Sequence, residues 1–160
     1  MAANNGHIEV VQMLLDKRAD PEKVNMLCRT SGLHKAADKG YVDVVKLYLE
    51  RGVDPDLQIV NAHGQDCDMY VTPLHVASQN GHKGVVKELL KKGANCAMAD
   101  QYGRTPLHAA ANEGHKDIVQ LLMDAGADPQ KKDQSGSTPL DVAIRKGHVC
   151  LYPVIIHHGF

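Results

Sequence analysis

Six residues return three times at a fixed interval, and that recurrence limits the fold more than any other feature of the chain. Thr72-Pro73-Leu74-His75-Val76-Ala77, Thr105-Pro106-Leu107-His108-Ala109-Ala110 and Thr138-Pro139-Leu140-Asp141-Val142-Ala143 begin 33 residues apart. A period of that length produces stacked supersecondary units, each touching only its neighbours, in place of one closed globule. Every residue type in the hexad has a physical task. The threonine hydroxyl accepts from the unpaired amides at a helix start, and the proline sits where its missing N–H costs nothing. Leucine and the small alanines make an apolar face narrow enough for helices to approach closely. The histidine has a donor on one ring nitrogen and an acceptor on the other, which suits it to tie a helix start to loop backbone nearby.

The glycines that punctuate the units are Gly6, Gly40, Gly81, Gly114 and Gly147, spaced 34, 41, 33 and 33 residues apart. In the most regular unit, Asn112-Glu113-Gly114-His115 follows the first helix. Ile118-Val119 and Leu121-Leu122 fill a second helix, and Gly126-Ala127-Asp128 closes it. A 33-residue unit carrying T-P-L-H-x-A in this setting resembles the ankyrin repeat. The resemblance implies an all-α repeat solenoid, a stack of antiparallel helix pairs joined by β-hairpin-like loops. It divides one domain, 1–160, into a half repeat 1–18 and repeats at about 19–52, 53–93, 94–126 and 127–160.

Irregularities fall at both ends and at one loop. The first unit lacks its T-P-L-H start, so the chain is expected to begin inside a repeat. Ile8, Val10, Val11, Leu14 and Leu15 predict an outer helix from His7 to Lys17, and Arg18 stands where a closing glycine is favoured. The second unit has a weakened motif, Ser31-Gly32-Leu33-His34-Lys35-Ala36. Its outer helix is predicted at Val42 to Glu50, with Val44, Val45, Leu47 and Leu49 inward and Tyr41 and Tyr48 half exposed. An eight-residue insertion lies within 55–71, acidic yet rich in apolar residues. It reads as an elongated hairpin packed on its neighbours, with a partner-contacting finger as the other reading. In the last unit Asp141 replaces the histidine, keeping an acceptor and losing the bridging donor. Pro153 predicts an outer helix that is kinked or starts late.

Composition narrows the function. Apolar residues make up 43% and charged residues 23% of the 160, as in a folded chain, and the formal charge is −1 with only 4% aromatics. That balance, without a basic stripe or base-stacking aromatics, argues against nucleic acid. No apolar run reaches membrane-spanning length and no signal-peptide core opens the chain, so no membrane insertion is expected and an intracellular setting, cytoplasmic or nuclear, is. Cys28, Cys67, Cys96 and Cys150 have irregular spacing and read as free thiols. His34, His75 and His108 belong to the repeat motif, while His7, His82, His115 and His148 follow the inter-helix glycine, so seven of ten histidines have structural readings. His63, Asp66, Cys67 and Asp68 make only a weak metal set, and His157 and His158 diverge on a helix. No nucleophile elbow, phosphate loop or zinc motif occurs, so neither an enzyme nor a cofactor is expected.

The resemblance implies recognition instead. In ankyrin repeats partners lie in a concave groove of hairpin tips and first helices, with variable positions just before T-P-L-H and at the first helix's end. Those positions here are Gln101, Tyr102 and Arg104 with Asn112 and Glu113, then Gln134, Ser135 and Ser137 with Arg145 and Lys146. Earlier units add Asp38 and Lys39, then Gln79 and Asn80, while Lys35 varies beside His34. Tyr102 and Arg104 stand out because Tyr and Arg are over-represented among residues that carry binding energy. The polar, mixed-sign set suits a protein or peptide partner for a monomeric module. The alternative is a scaffold or substrate-targeting arm cut from a larger multidomain enzyme, adaptor or channel.

Overall fold

The first helix of each described unit begins at a hydroxyl residue, Ser31, Thr72, Thr105 or Thr138. Ser31, Thr72 and Thr138 each hold extended backbone and accept from the N–H three residues on, that of His34, His75 and Asp141. The computed structural model describes residues 9, 11–13, 31–59 and 71–157. Within them the order is α1 Gly32–Lys39, α2 Val42–Glu50, α3 Pro73–Gln79, α4 Lys83–Lys91, α5 Pro106–Glu113 and α6 Lys116–Asp124. Then come α7 Pro139–Arg145, a 3-10 turn Val149–Leu151 and α8 Tyr152–His157. Odd-numbered helices form an inner layer and even-numbered helices an outer one. Each pair is antiparallel, turned by a glycine such as Gly40 or Gly114 in the left-handed region. This is the expected all-α repeat stack.

The core is a continuous stripe through the stack. The motif leucines Leu33, Leu74 and Leu107 are fully buried, as are Ala36, Ala77, Ala110 and Ala143 beside them. Val44 and Val45, Val85 and Val86, and Ile118 and Val119 meet them from the outer layer. Burying one such leucine contributes about 1.5–3 kcal/mol. Because each side chain packs between its own pair and the next, that gain belongs to the interfaces as much as to the units.

Three local outcomes refine the sequence reading. Tyr48 is buried, not half exposed, because it occupies the register of the core leucines Leu89 and Leu122. The ring fits because Gly32 stands where other units have proline: a Cβ on Gly32 would lie 2.6 Å from Tyr48 Cζ. The weakened second motif is therefore one half of a matched pair. Pro153 takes the second place in α8, after the 3-10 turn, so its missing N–H falls in a first turn that needs no helical partner. The helix starts late, as the sequence predicts, and Leu151 and Ile155 still reach the core. At the insertion, Leu57 packs on the core, Ile59 and Val71 form an antiparallel bridge, and the Asp56 carboxylate accepts from Asn95 N at 2.9 Å. The rest of that insertion, Arg18, and most of the outer helix expected from His7 to Lys17 lie outside the described residues. Val11, within that helix, is buried.

Two substitutions test this packing. Gly114 has φ 76°, and a Cβ there would lie 2.6 Å from His148 Nδ1, whereas Gly126, with φ 88°, has open space around it. Gly126→Ala is expected to cost roughly 1–2 kcal/mol from backbone strain alone, and Gly114→Ala measurably more, read by urea unfolding of both. Ser78 is fully buried and its hydroxyl makes no hydrogen bond among the described residues, while Ala37 and Ala111 fill the same register. Ser78→Ala is accordingly expected to raise stability by about 1 kcal/mol in the same assay.

Candidate functional site

Histidine chemistry in this stack is spent on joining units. His34 Nε2 lies 3.0 Å from Val71 O, His75 Nε2 3.0 Å from Arg104 O, and His108 Nε2 3.1 Å from Ser137 O, each in the hairpin of the next unit. A carbonyl only accepts, so Nε2 carries the proton. Nδ1 is left to accept from the Ser31, Thr72 or Thr105 hydroxyl at 2.8–2.9 Å. A second set runs the other way: His82, His115 and His148 donate to Asp38 O, Gln79 O and Asn112 O of the preceding unit at 2.8–3.0 Å. Burial pushes His34 down to about 4, outweighing the Val71 carbonyl that favours its charged form. Burial lowers His108 too. At Asp141 the carboxylate accepts from Thr138 N and Oγ1 at 2.8 and 2.7 Å, and so caps its own helix.

The hairpin tips are equally self-contained. Asp100 Oδ1 accepts from the amides of Tyr102 and Arg104 at 2.9 and 2.8 Å. Its Oδ2 takes Arg104 Nε at 2.7 Å and a terminal guanidinium nitrogen at 2.6 Å, a two-point ion pair. The same guanidinium sits 4.8 Å over the Tyr102 ring, which is 45% exposed. The next tip repeats the turn with Asp133, which accepts from Ser135 N, Ser135 Oγ and Ser137 N at 2.6–2.9 Å. Burial opposes its charge, but the Ser135 and Ser137 bonds hold it below the usual carboxylate range. The tips are joined by Gln134 N to Tyr102 O at 2.9 Å and Gln134 Nε2 to Gln101 O at 2.7 Å.

Between tips and inner helices lies a groove of about 420 Å³. Gln79 of α3, Asn112 of α5, Arg145 and Lys146 at the end of α7, and Arg104 line it, so five of the residues predicted from sequence converge on one depression. Gln101, Tyr102, Gln134, Ser135 and Ser137 form the tips beside it, with Ser137 Oγ accepting from Arg145 at 3.1 Å. Glu113 flanks it, accepting from Asn112 at 2.6 Å. Lys35, Asp38, Lys39 and Asn80 form a separate cluster further along the stack. There Asn80 donates to Asp38 Oδ1 at 3.0 Å, and Lys39 and Lys35 stand 3.6 and 3.9 Å from the same carboxylate. Sequence reasoning missed Ala109 and Val142, which share the register of Lys35 and line the groove. The repeat register itself could have named them.

A family model described as ankyrin repeats (3 copies) matches residues 1–59, 33–133 and 97–159. The chain belongs to the ankyrin-repeat family. Ankyrin repeats are generally protein–protein interaction modules; here the histidines described above join one ankyrin unit to the next, and the turn aspartates close each hairpin. Among the described residues no helix is long and apolar enough to cross a membrane.

Neutral buried histidines are expected to make the ankyrin stack acid-sensitive. His34 has a folded pKa of about 4 against roughly 6.5 when unfolded, so between those values the unfolded chain binds the extra proton. The stability it supports is complete above about pH 6.5 and falls as pH drops toward 4. From about pH 7 to 5, above most carboxylate titration, unfolding free energy is expected to fall by about 2 kcal/mol from His34, with His108 acting in the same direction. Urea titrations at stepped pH measure it.

Proposed function

We propose that this ankyrin-repeat chain binds a protein partner, or an extended segment of one, in the groove between α3, α5, α7 and the hairpin tips, and performs no chemistry of its own. The observation that carries this reading is the convergence of Gln79, Arg104, Asn112, Arg145 and Lys146 on one depression. Its motif histidines are meanwhile occupied in joining units, and its turn aspartates in closing their own hairpins. A polar groove with mixed charge fits a peptide backbone and polar side chains better than an apolar small molecule. Arg104 on its wall and Tyr102 on the tip beside it form its main contact. The ring is half exposed, and the guanidinium is held by Asp100 with one face on that ring, so a partner meets an aromatic and a cation already in place. The setting that suits such a module is intracellular.

Substitution at the tip tests the assignment. A combined Tyr102→Ala and Arg104→Ala change is expected to weaken partner binding about tenfold or more, or ~1.4 kcal/mol, measured by calorimetry on a partner captured with the wild type. Arg104→Lys keeps the charge and gives up the two-point pairing, and is expected to fall between the two. Equal affinity for wild type and double variant, with unchanged thermal unfolding, removes these two residues from the site.

A further inference from the structure

One side-chain amide ties the second unit to the third at the surface of the stack. Asn80 caps the C-terminal end of α3 and is exposed, and its Nδ2 donates to Asp38 Oδ1 at 3.0 Å and to Asp38 O at 3.4 Å. His82 Nε2 donates to the same carbonyl at 2.8 Å, and Lys39 and Lys35 stand 3.6 and 3.9 Å from the other carboxylate oxygen. Every oxygen of Asp38 that crosses or borders this boundary thus faces a donor, and position 80 supplies one of them.

Asn80 is followed by glycine, and that pair has a chemistry of its own. A backbone nitrogen whose own Cα carries no side chain is the least hindered nucleophile the chain can offer to an asparagine amide. Asn95 and Asn112, the other described asparagines, precede Cys96 and Glu113. Among the described residues the Gly81 N–H makes no hydrogen bond, whereas Gly40, Gly114 and Gly147 donate to the carbonyl three residues back at 3.4, 3.4 and 3.0 Å. Opening the turn at Asn80 therefore breaks its bonds to Asp38 and none at the Gly81 amide.

We propose that Asn80 is a site of spontaneous deamidation, and that its product is a lasting reversal of polarity at the boundary between the second and third units. The Gly81 nitrogen gives its proton to solvent base and bonds to Asn80 Cγ; the Cγ–Nδ2 bond breaks and ammonia leaves. Water then opens the five-membered imide at one carbonyl or the other, leaving aspartate or isoaspartate. Asn80 has φ −87° and ψ 2°, and ring closure needs ψ to swing far from that value, so the fold slows the step and the opened turn carries it. Either product sets a carboxylate where a donor faced Asp38 Oδ1 and O, and adds negative charge at the C-terminal end of α3, where the helix dipole opposes it. Isoaspartate also lengthens the backbone by one carbon at a turn with no spare room. A Cβ on Gly81 would lie 2.8 Å from His115 Cε1, and that ring donates to Gln79 O at 3.0 Å. The modification site stands independently of what the groove binds.

The test ages the whole folded chain at mildly alkaline pH and reads each asparagine separately by peptide mass spectrometry, which also resolves Asn5-Gly6, the same dipeptide outside the described residues. Conversion at Asn80 is expected to run at least about tenfold faster than at Asn95 or Asn112, and slower than in a synthetic peptide of residues 76–84. Part of the product is expected to accept methyl groups from an isoaspartyl methyltransferase. Asn80→Gln, whose ring would need six members, is expected to abolish conversion at that position. Asn80→Asp is expected to lower the midpoint of urea unfolding. Adding Asp38→Asn, which returns a donor opposite the new carboxylate, is expected to recover at least half of that loss. Asn80 reacting no faster than Asn95 and Asn112 overturns the modification site. Asn80→Asp as stable as the wild type, or a double variant no better than the single one, overturns its effect on the boundary.

Discussion

The bond from a histidine Nε2–H to a carbonyl across a unit boundary is the constraint on which the rest of this structure depends. Each described boundary carries two, one reaching forward from the motif histidine and one reaching back from the histidine after the glycine. Both ring nitrogens of the forward histidine are used, since Nδ1 takes the capping hydroxyl of its own helix. A single ring thus fixes a helix start, a tautomer and the distance to the next hairpin. The glycine in the left-handed turn follows from the same geometry, because the returning histidine lies against it so closely that a Cβ has no room.

That dependence explains why the regular units tolerate so little change at the motif and so much beside it. The motif histidine is coupled through its ring to the next unit, whereas the cross-unit bonds at Gln79 and Asn112 run through backbone carbonyls that any side chain leaves in place. The exceptions are paired. Gly32 departs from the motif and Tyr48 departs from the core leucine, and each departure makes the other possible.

Most of the fold was legible because its signal is repeated. Helix bounds such as Val42–Glu50 and Pro106–Glu113 follow from capping residues and glycines, and the late start at Pro153 follows from a missing N–H. Tyr48 was read as half exposed because its own segment was weighed without the register of Leu89 and Leu122. Part of the candidate site was equally legible, since position in the repeat named Gln79, Asn112, Arg145 and Lys146, which line one groove. Position could not reveal the division of labour around Asp100. Its one carboxylate satisfies two amides and a guanidinium, which depends on how the turn closes in three dimensions. Nor could it separate the Lys35 to Asn80 cluster from the groove, because cross-unit pairing with Asp38 draws those residues together.

The Asp100 turn has a kinetic consequence. With its amides, guanidinium and ring already fixed against one another, the tip loses little rotamer entropy when something settles on it. That favours slow release over any special speed of encounter. For a partner docked as proposed, discrimination would then act through residence time, set by a tip whose bonds to Asp100 are already made.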